Sequence, residues 1–276
     1  MSTIPPAPPP PPPPPPPAPP LRLDISPSPP TSYANRHLPY LDICNWDTKY
    51  PQLWEACAKF NICLDEAPYK YSYRAFESII QVGPTCGLVA LSMLMNGEVP
   101  PDEILTIARH EGFTCQGEMF SCKNLVNLAE KVISLAEVNL QCSLRFGGLF
   151  SEEIVEKLLN GAALLVPYDA DCNHSPCLRK GHTAHWALIC GVIIIKNPDN
   201  SYTSDPNNVY VLALHGKSRY LAAWRLYDLE KSNKNLIEFS PNKESDGLQY
   251  ALPEDGIGGE NGLRDQFLIF ENFERF

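Results

Sequence analysis

The stretch Gln81–Met93, QVGPTCGLVALSM, decides how this chain reads. Gly83 and Pro84 mark a short loop, and the apolar run beyond them predicts a helix from about Thr85 to Asn96. Gly97 stands where such a helix stops. Cys86 then lies in the first turn, where unpaired N–H groups and the helix dipole favour a thiolate over a thiol. None of the other cysteines has this setting. Gln81 precedes the helix within the same loop. Its side-chain amide, with the Cys86 backbone N–H, forms a candidate pair of oxyanion donors. Gly87 is expected to leave room for a substrate backbone. The competing reading of Cys86 is a structural thiol on the core face of the helix.

A nucleophilic thiol needs a base. Of the six histidines, His37 lies in the proline-linked segment and His110 ends a surface helix. His174 and His182 fall in a polar loop. His185 differs, because it opens the most hydrophobic run of the chain, beside Trp186, and a polar ring at the mouth of a strand suits a cleft. That strand runs to about Lys196, turns through NPDNSYTSDPN and returns as VYVLALHG. A turn centred near Asn200–Tyr202 brings residues near 215 opposite His185 in an antiparallel pair. His215 is therefore the geometric candidate for orienting the imidazole, against the plainer reading of an end-of-strand surface residue. Asp205 and Asn207 are fallbacks, but the hairpin tip is too distant.

Working outward, WEACAKFNICL reads as an amphipathic helix from Trp54. PPDEILTIARHEG reads as a helix begun by Pro101 and closed by Gly112. SCKNLVNLAEKVISL follows, with Ser121 as N-cap. VNLQCSLRF alternates like a strand, and SEEIVEKLLNG is a further helix ended by Gly161. The remainder is rich in strands: AALLVPYD, AHWALICGVIII, VYVLALHG, YLAAWRLYDL and DQFLIFENF. Helices first and antiparallel strands later predict an α+β fold, with N-terminal helices packed on an antiparallel sheet. The globular domain is expected over residues 40–276.

Residues 1–35 form a separate, disordered proline-rich region. Pro8–Pro17 is unbroken, so the segment lacks amide donors and is locked into a polyproline II rod. Such a rod serves as a ligand for aromatic-lined grooves or as a stiff spacer. The formal net charge of −10 and pI of about 5.1 argue against nucleic acid as a partner; Arg179 and Lys180 are a candidate local basic feature. The longest apolar run, Ala184–Ile195, is too short to cross a membrane. Ten cysteines, several in apolar stretches and with no secretory leader, point to a reducing compartment. The loop CNHSPCLRKGHTAH invites a zinc site, but its cysteine spacing is wider than most structural zinc sites use. No metal or other cofactor is expected.

QVGPTCGLVALSM followed downstream by HWALICG resembles the papain-like cysteine peptidases, and most of all their bacteriocin-processing branch. The likeness covers roughly residues 75–225, with Gln81, Cys86 and His185 in the matching roles. With its proline-rich head and RKGHTAHWALICGV, the whole chain is similar to members of that fold that mature actin. The resemblance implies a papain-like fold and a cytoplasmic cysteine aminopeptidase that removes the acetylated N-terminal Met or Cys from immature actin. It also implies profilin as a partner of the proline run, bringing actin to the site. His215 stands where the wider family has Asp, so the third catalytic role is the open one. Two alternatives stand beside this. One is a non-catalytic adaptor that carries the polyproline head on a peptidase-like body. The other is the same Cys–His chemistry used for acyl transfer to an amine.

Overall fold

Strand β4 (Ala184–Ile194) is buried from His185 onward along its whole length, and the other strands are arranged around it. A computed structural model describes residues 49–63 and 66–273. The proline-rich head and the expected domain start near Tyr40 lie outside the described residues. On one edge of β4, its first half pairs with β3 (Ala163–Asp169), from Leu164↔Ile189 to Asp169↔Ala184. Its second half pairs with β1 (Lys70–Tyr73), from Lys70↔Ile194 to Tyr73↔Gly191. The other edge pairs with β5 (Val209–Leu214), and the register shifts between Ile189 and Gly191. Gly191 is required there, because a Cβ on it would overlap the Ser72 carbonyl oxygen and push β1 away. β6 (Ala222–Arg225) extends the sheet beyond β5. On the other side, β7 (Gln266–Glu271) and β2 (Gln141–Phe146) extend it beyond β3, for the order β2-β7-β3-β4-β5-β6. Every pairing is antiparallel.

Both faces of the sheet are covered. Leu188, Cys190 and Ile193 of β4 join one buried cluster with α1 (Pro51–Lys59), α2 (Cys86–Leu94), α3 (Pro101–His110) and α4 (Cys122–Leu135). Ala187, Ile189 and Val192 join a second cluster with α5 (Glu152–Leu159) and α6 (Leu226–Lys234). A strand buried on both faces reads as a continuous apolar run rather than an alternation, which explains the character of β4. The result is an α+β layout with helices on both faces of the sheet.

Helix boundaries follow local chemistry. α2 ends two residues before Asn96 and Gly97, whose φ angles of 51° and 78° turn the chain away. The Ser121 hydroxyl caps α4 by accepting from the Asn124 N–H at 3.2 Å. One expectation needs correction. YLAAWRLYDL is a strand only over Ala222–Arg225 and then becomes α6. The apolar period changes at that point: Leu226 and Leu229 are buried at helical spacing, and Asp228 receives the Arg225 Nε–H at 2.6 Å across the first turn.

Candidate active site

Every residue of α2 after Cys86 is buried, so the helix is anchored along its length while its first residue stays half-buried at the surface. Burying one side chain such as Leu88 or Leu91 contributes roughly 1.5–3 kcal/mol. The sulfur faces a cleft of about 440 Å³, whose walls include Gln81, His185, Trp186, Lys217 and Lys243.

The Cys86 thiol lies within hydrogen-bond reach of the His185 ring and also meets the Trp186 backbone N–H. The other ring nitrogen is committed. His185 Nε2 lies 2.7 Å from the backbone carbonyl oxygen of His215. A carbonyl only accepts, so Nε2 carries a proton and donates it. Nδ1 is left to face the sulfur, with its lone pair in the neutral ring or its proton in the imidazolium.

The electrostatics of the pair run in opposite directions. Burial alone would push the Cys86 thiol up. The charge and hydrogen bond of His185, then the Trp186 amide and the Lys243 ammonium, outweigh it and bring the thiol below its ordinary value of 9.0. Burial likewise disfavours a charged His185, but the Cys86 charge and hydrogen bond, together with the His215 carbonyl, raise it above 6.5. A thiol moved down beside an imidazole moved up favours transfer of the proton from sulfur to ring, the direction that leads to a thiolate–imidazolium pair. Other thiols go the opposite way. Cys122 corrects the expectation that no other cysteine opens a helix: it is the first residue of α4, but it is fully buried and burial raises it. Burial also takes Cys142 to about 12, takes Cys177 to about 11, and raises Cys190.

His215 is thus brought to His185, but through a different atom from the one expected. The sequence pointed to its ring. The ring instead stacks on Trp224 at 6.0 Å between centroids, and its Nδ1 accepts from the Lys217 N–H at 3.4 Å. The loop holding the carbonyl is tied to the loop before α2 by the Gln81 N–H, which donates to the Gly216 carbonyl at 2.8 Å. Gln81 lines the cleft, with its Nε2 donating to the Gly83 carbonyl at 2.8 Å and one amide hydrogen left over. Its Oε1 is buried without a partner.

Other expectations fare differently. The space beside Gly87 belongs to the core: a Cβ there would sit 3.1 Å from Met119 and 3.2 Å from Trp186. Its room admits these neighbours, so the expected opening for a substrate backbone is not there. Asp205 and Asn207 bond to each other, and Asn207 to Arg225, far from His185 in the fold. His182 pairs with Glu238 at 2.8 Å, and Lys180 reaches the same carboxylate at 3.5 Å. Among the described residues, no group of three or more His, Cys, Asp or Glu side chains is placed to hold a metal.

Sequence reasoning missed Asp169. Fully buried at the end of β3, its carboxylate accepts from the N–H groups of Arg179, Gly181 and Thr183 and from the Thr183 hydroxyl. It thereby shapes the loop that delivers His185. The signal available was an acid closing an otherwise apolar strand.

Fold and site together define an α+β chain in which a paired thiol and imidazole face one cleft. The chain belongs to the actin maturation protease family. A family model described as "Actin maturation protease-like, C-terminal domain" matches residues 76–193, a span holding Gln81, Cys86 and His185. The actin maturation protease of Drosophila melanogaster is 40% identical over 248 residues, covering 89% of this chain and 88% of the relative. That of Danio rerio is 36% identical over 225 residues, 70% of this chain and 71% of the relative. The Homo sapiens protein is 36% identical over 224 residues, 70% of this chain and 63% of the relative.

Proposed function

We propose that this chain is a papain-like cysteine peptidase of the cytoplasm that removes the acetylated N-terminal Met or Cys from immature actin. Cys86 is the nucleophile and His185 the acid and base. The observation that carries this reading is the His185 ring, held at Nε2 by the His215 carbonyl at 2.7 Å while its other side meets the Cys86 thiol.

The Cys86 thiolate attacks the carbonyl carbon of the acetylated first residue, forming a C–S bond. The second hydrogen of Gln81 Nε2 and the Cys86 backbone N–H stabilise the oxyanion. The C–N bond then breaks, and His185 Nδ1 gives its proton to the departing amine, which becomes the new N-terminus. A water molecule, deprotonated by the same nitrogen, cleaves the thioester and frees the acetylated amino acid. The head, with Pro8–Pro17, would recruit profilin carrying actin and raise the effective concentration of substrate at the cleft.

Mass spectrometry of the actin N-terminus after incubation tests this. The wild-type chain is expected to remove one acetylated residue, and Cys86→Ala to leave the N-terminus intact. Processing by Cys86→Ala would sink the assignment, and binding of profilin–actin without turnover by the wild type would favour the adaptor.

A further inference from the structure

The cleft carries a charge pattern at odds with the rest of the chain. The chain is acidic, at −10, yet two of the residues lining the cleft are Lys217 and Lys243. Lys217 is exposed, on the loop directly after the His215 carbonyl that orients His185. Lys243 is half-buried in the short helix α7 (Pro241–Glu244), with its ammonium over the rings of Phe120 at 5.1 Å and Tyr250 at 5.7 Å. Among the described residues, neither ammonium has a carboxylate oxygen within ion-pair distance. Asp246 feels Lys243, but its oxygens are taken by the Tyr250 hydroxyl and the Leu248 N–H. Glu118 is the carboxylate lining the cleft. It is buried, and it is occupied by the N–H groups of Cys115, Gln116 and Ala251. Both lysines act on the reacting pair through space, Lys243 on Cys86 and Lys217 on His185.

We propose that Lys217 and Lys243 are specificity-determining residues that receive acidic side chains of the substrate on the leaving side of the scissile bond. This rests on the proposed peptidase reading, which also fixes the side. The acyl part of such a substrate is one blocked, uncharged residue, so any carboxylate the lysines meet belongs to the segment that departs. The cleft walls focus the field of the two ammoniums, and half-buried Lys243 is the less screened of the two. Two ammoniums on the walls also select against basic segments.

Two measurements test the proposal separately from the reaction. The first compares alkylation of Cys86 by iodoacetate and by iodoacetamide at low salt, read by mass spectrometry of the Cys86 peptide. The anionic-over-neutral rate ratio cancels any change in thiolate fraction. It is expected to fall about threefold to tenfold in Lys217→Gln/Lys243→Gln, and to be kept in Lys217→Arg/Lys243→Arg. The second compares kcat/KM for N-acetylated peptides carrying two Asp or two Asn after the first residue. The Asp-over-Asn preference is expected to collapse in the Gln pair and to persist in the Arg pair. An unchanged alkylation ratio, or an unchanged peptide preference, overturns the charge assignment. If the wild type cleaves neither peptide, the peptidase reading fails, and the alkylation ratio still decides whether the cleft attracts anions.

Discussion

The chain contains two Cys-Gly pairs in strongly apolar surroundings, Cys86-Gly87 at the head of α2 and Cys190-Gly191 in the middle of β4. Their residue types are the same and their chemistry is opposite. Cys190 is 1% exposed, its thiol donates to the Leu212 carbonyl at 3.4 Å, and burial pushes it up. Cys86 feels burial too, but it opens onto a cleft beside an imidazole and a free-facing amide, and its thiol moves down. Both glycines make room for a neighbour, Met119 and Trp186 in one case and β1 in the other. What separates the two thiols is position. The end of an element has unspent N–H groups and can face a charged partner, whereas the middle of a central strand has neither.

Removing His185 should erase most of this contrast and gives the largest effect. Without the ring, burial is opposed only by the Trp186 amide and Lys243, so the thiol pKa should rise toward the behaviour of Cys190. Turnover of an acetylated actin N-terminus by His185→Ala is expected to fall by about 10⁴. The wild-type rate should be bell-shaped. Cys86 is lowered, so the acid limb lies below 9.0, where the thiolate takes up a proton. His185 is raised, so the alkaline limb lies above 6.5, where the imidazolium loses the proton owed to the leaving amine. Alkylation of Cys86 against pH is the check that does not depend on substrate. If its pH midpoint stays put in His185→Ala, the ring does not hold the thiolate.

Gln81 ranks second. It belongs to the loop before α2 and has no counterpart near Cys190. Gln81→Ala is expected to lower kcat by about 10²–10³ with little change in the Cys86 alkylation profile, because the role proposed for the amide is at the oxyanion and not at the thiol. A matching loss of thiol reactivity would instead make Gln81 a packing residue for the loop.

Much of this was readable in residue types and their spacing. The loop-to-helix switch at Gly83–Cys86, the continuous apolar run of β4 and the polar residue at its mouth are statements about side chains, and the structure places them in one cleft. Backbone groups escaped notice, since the His215 carbonyl and the Trp186 N–H carry no mark of residue type. Lysines 217 and 243 escaped because isolated basic residues look like solvated surface until the fold brings them to the same walls. β1 escaped because KYSY is only four residues long and has no fully buried residue, and the sheet's need for a partner beside Gly191 sets its conformation. α6 was mistaken for strand because its first residues continue a run that had been β.

His215 gives the smallest kinetic effect and the sharpest comparison, because two parts of one residue predict different outcomes. If the backbone carbonyl orients His185, replacing the ring keeps the acceptor. His215→Ala should then hold kcat within about threefold of wild type, under 1 kcal/mol in the barrier. The ring does other work: it is 6% exposed, stacks on Trp224 and lies 5.5 Å from the His174 ring. Burial first, and then the neighbouring His185 and His174, push it down to about 4. It therefore stays neutral above that pH and adds no second positive charge beside the imidazolium. Truncating it should lower thermal stability, by about 1–3 kcal/mol for a buried polar aromatic, while the bell-shaped profile keeps its limbs. A loss of kcat beyond about 100-fold, with the alkaline limb moved toward 6.5, would return the orienting role to the ring, since only loss of the orienting bond would both misplace His185 and ease its deprotonation.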